Sequence, residues 1–346
     1  MQASPTAAET ASASFAEIRA ILTRLPPPDL AAATKVLERQ VVLTKPLGAL
    51  GRLEELVEWM ARWQGRAMPR CERPQVAVFV GAHGVAARGV SAYDSEVNRQ
   101  MLQNFINGGA AVNQIATGID ATLRVYELDL DRPTADFTQA PAMDETRCAH
   151  AMAYGMTAAE PGCDVLCLGE MGIGNTTSAS ALCLALFGGA AEEWVGPGTG
   201  VRGEALQRKI ETVQLGAARH AGVKDPLAVL AALGGEELAA IAGAVLAARM
   251  GRIPVLLDGF ACTAAAAVLH AIDPHILDHC QVAHRSTEPG HARLLRIIGK
   301  APLLDLDLRL GEASGAALAV SLLKAACACH SGMATFEQAG VSGAVS

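Results

Sequence analysis

The stretch "DVLCLGEMGIGNTTSASALCLAL", residues 164–186, decides the fold. It opens as a continuous apolar run of strand length, 164–169, that stops at a glycine. Small and hydroxyl-bearing residues then lead into an Ala-rich helix. The same pattern recurs at "RIPVLLDG" (252–259), followed by "ACTAAAAVLHAI" (261–272). Further strand signals lie at 75–80 and 122–128, and a weaker one at 279–284. Apolar strands alternating with helices indicate βαβ units and a parallel sheet covered on both faces. The expected fold is therefore α/β and Rossmann-like. In such sheets ligands sit beyond the carboxyl ends of the strands, which directs attention to the loops after them.

The loop in the opening stretch carries Gly169, Gly172 and Gly174, yet it is neither of the common phosphate motifs. A Walker loop needs a lysine after its last glycine, and Asn175 and Thr176 stand there instead. The Rossmann glycine spacing is also absent, which disfavours a nicotinamide-dependent oxidoreductase. What remains is a loop-to-helix junction whose free N–H groups, with Asn175 and Thr176, suit a single phosphate or ribose hydroxyls. Glu170 would repel a phosphate and should face a cationic or hydroxyl-bearing part of the ligand. An ordinary glycine turn capped by Thr176 or Thr177 remains open at this stage.

Four other segments carry polar chemistry. "VGPGTGVRGEALQRKIE" (195–211) offers Gly198 and Gly200 for close approach to a phosphate, and Arg208 and Lys209 as positive charges. "HRSTEPGH" (284–291) follows a strand signal and packs two His, Ser286, a Thr and a Glu into eight residues. It lacks a third ligand at zinc-like spacing. "LRLGEASGAALAV" (308–320) places Glu312, after Gly311, at the start of a small-residue helix. There it is either a general base tuned by burial or a glutamate that complements the helix dipole. Residues 81–116 mix small apolar groups with Ser91, Tyr93, Gln100 and Met101, which suits a flat aromatic pocket or simple packing.

The bulk properties exclude other classes. The chain has 346 residues, of which 51% are apolar and 4% aromatic, with a net charge of −7. That balance argues against a nucleic-acid partner, which calls for positive charge and stacking platforms. Nine scattered cysteines, several in apolar runs, read as reduced core thiols of a cytoplasmic protein. "CACH" (327–330) resembles half a metal site with no second half, so no metal is expected. Residues 1–14, rich in Ala, Ser and Thr, read as a disordered leader and not as a signal peptide. Apolar runs such as 313–323 are too short to span a bilayer, so no membrane association is expected. The expected organisation is a large α/β domain at 75–300 that holds the site, and a small helical subdomain formed by 15–74 and 301–346.

Taken together, these segments resemble the nicotinate-nucleotide–dimethylbenzimidazole phosphoribosyltransferase family, which makes the lower-ligand nucleotide of cobalamin. The resemblance runs in order through "LTKPLGALGRLE" (43–54), the pattern from "GVSAY" to "GGAAVN" (89–113), "LGEMGIGNTTSA" (168–179), "VGPGTG" (195–200) and "LLDGF" (256–260). It continues through "HRSTEPGH" (284–291), "LLDLDLRLGEASGAALA" (303–319) and "MATFEQAGV" (333–341). It implies transfer of phosphoribose from nicotinate mononucleotide to 5,6-dimethylbenzimidazole, with no cofactor, by a homodimer. Glu312 would take the benzimidazole proton, and Glu170 would lie by the ribose and pyridinium. Gly172, Gly174, Asn175, Thr176, Gly198, Gly200, Lys209, Ser286 and Gly311 would hold the ribose phosphate. His83, Ser91, Tyr93, Gln100 and Met101 would line the benzimidazole pocket. Two departures from the family pattern, Ala82 in place of an acid and Asn98 in place of a common Thr, are expected beside that pocket. They leave open transfer to another base (a different benzimidazole, a purine or a phenol). A non-catalytic nucleotide- or base-binding protein is the remaining alternative.

Overall fold

A computed structural model describes residues 13–343. In chain order the helices and strands begin with α1 (Phe15–Leu22), α2 (Leu30–Val42), α3 (Arg52–Gln64) and β1 (Pro74–Val80). Next come α4 (Glu96–Ile106), α5 (Ala111–Gly118), β2 (Thr122–Glu127), α6 (Glu145–Met156), β3 (Val165–Met171) and α7 (Asn175–Phe187). They are followed by α8 (Glu204–Arg219), α9 (Pro226–Leu233), α10 (Glu236–Met250), β4 (Val255–Leu257) and α11 (Phe260–Ile272). The last are β5 (Cys280–Val282), α12 (Pro289–Ile297), α13 (Ser314–Gly332) and α14 (Phe336–Ala339).

The strands form one parallel sheet in the order β2-β1-β3-β4-β5. The chain moves outward from β1 to β2, then returns to β3 on the other side of β1 and continues the opposite way. This reversal opens a crevice at the carboxyl ends of β1 and β3, the usual place for a ligand in a doubly wound sheet. The Gly81 N–H donates to Met171 O at 2.9 Å and joins the two strands at that point.

Alternation along β1 shows why both faces are covered. Ala77 and Phe79 belong to a core with α6, α7, α9, α10 and α11. Val76, Val78 and Val80 belong to a second core with α3, α5 and α13. Every residue of β1 is buried, so the strand reads as a continuous apolar run.

The chain ends meet: Leu43 bridges Thr335, and Arg39 Nε donates to His330 O at 2.7 Å. They are not set apart from the sheet, however. Helix α13 lies on the sheet face against β1, β3 and β4, while α1 packs on α6. Small residues on α13 (Ala316, Ala317, Ala319) permit this close approach. Helix α13 is also long and apolar enough to cross a membrane by length and composition, with half of its apolar window buried in the fold. Of the expected leader, residues 1–12 lie outside the described part, and Ser14 caps α1.

Candidate active site

A cavity of about 480 Å³ opens at the carboxyl ends of the strands. Its polar floor is made by two glutamates from distant segments, Glu170 at the end of β3 and Glu312 just before α13. The Glu312 N–H donates to Glu170 O at 3.1 Å, so the two segments are stitched together by backbone. Both side chains are buried.

The backbone at Glu312 is unusual. Gly311, Glu312 and Ala313 have φ of 82°, 61° and 59°, three consecutive residues in the left-handed region. For a non-glycine residue this conformation costs on the order of 1 kcal/mol, and such strain concentrates at functional sites. Gly311 is required there for a second reason, since a Cβ would lie 2.9 Å from Glu170 Oε1. Ser314 Oγ donates to Gly311 O at 2.6 Å and closes the turn.

Burial, then the nearby charge of Asp258, pushes the Glu312 carboxyl up to about 7. A carboxyl at that value is matched to taking a proton near neutral pH. Glu170 is held well above the usual carboxylate range by burial, then by Asp258 and Glu237, against the opposing hydrogen bond from the Asn175 amide. Those surroundings favour the protonated form of Glu170, and a cation brought beside it favours the ionised one.

Tyr93, Met101, Gly172, Asn175, Thr176, Gly198, Ser286 and Gly311 line the cavity with the two glutamates. The structure does not bring the other expected residues to the wall. Lys209 is buried one layer behind it, with Nζ donating to Thr176 Oγ1 at 2.8 Å and to Gly196 O at 3.0 Å. Burial lowers the Lys209 ammonium to about 8, although Glu288 partly offsets this. His83 lies beneath Gly172, with Nε2 2.6 Å from Glu237 Oε1 and Nδ1 3.1 Å from Ser178 Oγ. Ser91 Oγ is 2.9 Å from Thr199 Oγ1, so it ties its loop to a lining residue without reaching the cavity. Gln100 is exposed on α4, because Val97 and Met101, four residues apart, occupy the inward face. Gly174 and Gly200 also stand off the wall, Gly174 as the left-handed residue that starts α7.

Ala82 and Asn98 are both buried and do not themselves line the cavity. Asn98 Oδ1 accepts the Ile173 N–H at 2.8 Å and so holds one lining residue in place.

Sequence reasoning missed several residues of the cavity. Arg309 lines it and donates from Nη1 to Gly198 O at 3.2 Å. Glu288 accepts the Gly198 N–H at 2.8 Å and pins the glycine-rich loop. His284 lines it as well. The density of polar residues in 284–291 was the available signal for these last two. A shallower groove of about 820 Å³ opens beside β2, where Arg147 bonds both oxygens of Glu236 and Arg132 pairs with Asp129. The "CACH" residues do not converge on a ligand either: Cys327 Sγ contacts Met60 Sδ, and His330 Nε2 faces Ala67 O at 3.1 Å.

Comparison with known proteins gives this cavity a family. A family model described as phosphoribosyltransferase matches residues 25–341. A nicotinate-nucleotide–dimethylbenzimidazole phosphoribosyltransferase from Brucella anthropi is 57% identical over 330 residues, covering 95% of this chain and 97% of that protein. The chain belongs to the nicotinate-nucleotide–dimethylbenzimidazole phosphoribosyltransferase family. A Brucella canis relative of the same name is also 57% identical, over 329 residues that cover 95% of this chain and 97% of that one. Among solved structures, CobT from Thermus thermophilus superposes with a TM-score of 0.85 at 43% identity, covering 90% of this chain and 99% of that one. Membership extends to the α/β fold and to transferase activity.

Proposed function

We propose that the protein transfers the phosphoribosyl group of nicotinate mononucleotide to 5,6-dimethylbenzimidazole, giving α-ribazole 5′-phosphate and nicotinate. The observation that carries this reading is the pair of buried glutamates on one cavity, with Glu312 tuned to about 7, in a chain so similar to transferases of that name. A benzimidazole nitrogen attacks C1′ from the face opposite the pyridinium. The C1′–N bond to the pyridinium breaks, and its electron pair goes to the departing ring, whose nitrogen becomes neutral. The benzimidazole N–H proton passes to Glu312. Glu170, ionised by the arriving cation, faces the positive charge that the sugar and the departing ring share, where a fixed carboxylate is most effective.

Arg309 from the cavity rim, the amide groups around Gly172 and Gly198, and Ser286 suit the 5′-phosphate. Lys209 acts on it through Thr176. Val97, Met101 and Tyr93 supply an apolar wall for a flat heterocycle. The leaving group takes up its own electron pair, so the reaction calls on no cofactor. The protein works in the cytoplasm as a homodimer, apart from membranes and nucleic acid.

The test is product analysis by mass spectrometry after incubation with nicotinate mononucleotide and a panel of benzimidazoles, purines and phenols. α-Ribazole phosphate should dominate, and Glu312→Gln should lower the rate roughly 10²–10⁴-fold, the usual size of a lost general base. Absence of any ribosylated base with the wild type overturns the reading. A preference for a purine or phenol moves it to another acceptor.

A further inference from the structure

Behind Glu312 lies a buried pair that the reaction written above leaves idle. Asp258 follows β4 directly and is fully buried. Its Oδ1 accepts the Ala316 N–H at 2.8 Å, and its Oδ2 has no partner among the described residues. His284, just past β5, brings Nε2 to 3.5 Å from the same Oδ1. Its Nδ1 is likewise unpartnered among the described residues, and the ring, 1% exposed, lines the cavity. The imidazole is wedged between two glycines: a Cβ on Gly315 would lie 2.1 Å from Cδ2, and one on Gly259 3.2 Å from Nε2. Gly315 has no room for a side chain, and a Cβ at Gly259 would press tightly on the ring.

The Ala316 N–H belongs to the first turn of α13, whose free amides need acceptors. Ala313, in the N-cap place, has no side-chain oxygen to offer them. Asp258 provides one from across the fold. By holding that turn it also holds the left-handed backbone immediately before it, which aims Glu312.

We propose that Asp258, with His284 as its partner, is the positioning residue of the general base: it pins the turn that carries Glu312 and sets a negative charge behind it. This rests on the transferase reading above. A fixed anion close to a carboxyl makes ionisation harder, so Glu312 stays basic enough to take a proton from a weakly acidic N–H. Burial disfavours a charge on His284, but the Asp258 hydrogen bond and charge outweigh it and raise the imidazole, which favours the cation that screens this anion. The other charged groups facing this cluster are Glu170 from β3, Glu237 from α10, Glu288 from the segment after β5, and Arg309 from the loop before Glu312. The Cys167 and Cys262 thiols lie near Asp258, and burial keeps both in the neutral form.

The experiment is the pH profile of kcat/KM for the wild type, Asp258→Asn and His284→Gln, with thermal melts to confirm folding. Asp258→Asn keeps an oxygen for the Ala316 N–H and removes the charge. Its acidic limb should move down by roughly one pH unit, the usual size of a single like-charge coupling. His284→Gln removes the screening cation, and its limb should move up. An active, folded Asp258→Asn variant whose limb stays in place overturns the proposal. If that variant does not fold, an unmoved limb in His284→Gln overturns it equally. Loss of product in the wild type sinks the transferase reading instead, so the two failures are distinguishable.

Discussion

Glu312 works only when ionised, yet it is buried beside another acid, and that conflict can be measured. Its carboxyl rises from 4.5 to about 7 on folding. A group whose folded value is raised contributes stability that is fully present below the unfolded value and lost as pH rises through the folded one. Glu312→Gln removes that loss. The stability of the variant relative to wild type should therefore increase between pH 4.5 and 8.5, by roughly 2–3 kcal/mol if most of the shift is realised. Denaturant unfolding at the two pH values reads the difference, and parallel pH curves for the two proteins would refute it. Both glutamates were legible in the sequence because each stands beside glycine in a loop that continues the pattern of strand, turn and small-residue helix. Asp258 was not legible as a site residue. It stands before a glycine that reads as the end of a strand, and its partner amide at Ala316 lies 58 residues further along the chain. No local pattern reports such a contact. Lys209 shows the opposite error, for its charge was visible in the sequence but not the depth at which it is buried.

Among elements, the long apolar strands were legible and their ends were not. The reading stopped the third strand at Gly169, whereas β3 continues to Met171. Gly169 does not end the strand; it admits Ala313. A Cβ on Gly169 would come within 2.0 Å of Ala313 N, so strand and turn touch backbone to backbone. This contact brings Glu170, the next residue, up against Glu312. Gly169→Ala must then push the turn away from the sheet. Such overpacking against backbone should cost about 3 kcal/mol or more. The melting temperature should fall, and the remaining folded protein should have lost most of its transferase rate. Retention of both would show that the turn is not held by β3. The strands β4 and β5 are shorter than the apolar runs around them, and Asp258 and His284 follow them at the end of the sheet that faces the site. The uncharged apolar run at 313–323 is only the first part of helix α13. It continues to Gly332, with the Lys324 ammonium donating to Ile119 O at the end of α5.

At the scale of the whole molecule, two apolar layers cover one sheet, and the cysteines record how completely they do so. Cys148, Cys183, Cys262 and Cys280 belong to one layer, and Cys71, Cys167 and Cys327 to the other. All nine cysteines are free, and only Cys163 and Cys329 are less than fully buried. Burial pushes the Cys163 thiol up to about 12, as it does those of Cys280 and Cys327. A thiol reacts as its thiolate, so a buried thiol with a raised value is inert until the layers part. Titration of the native protein with a thiol reagent at pH 8 should therefore show one fast equivalent, from Cys329, which Cys329→Ser removes. All nine should react in guanidinium. Rapid modification of several thiols in the native state would mean that the layers are open on the timescale of the reagent, and the close approach of α13 to the sheet would then not hold. Since α13 carries Glu312 at its start, such opening would loosen the general base as well. The slow thiols and the fixed position of the catalytic glutamate are thus two readings of the same packing, and a variant such as Gly169→Ala should release both together.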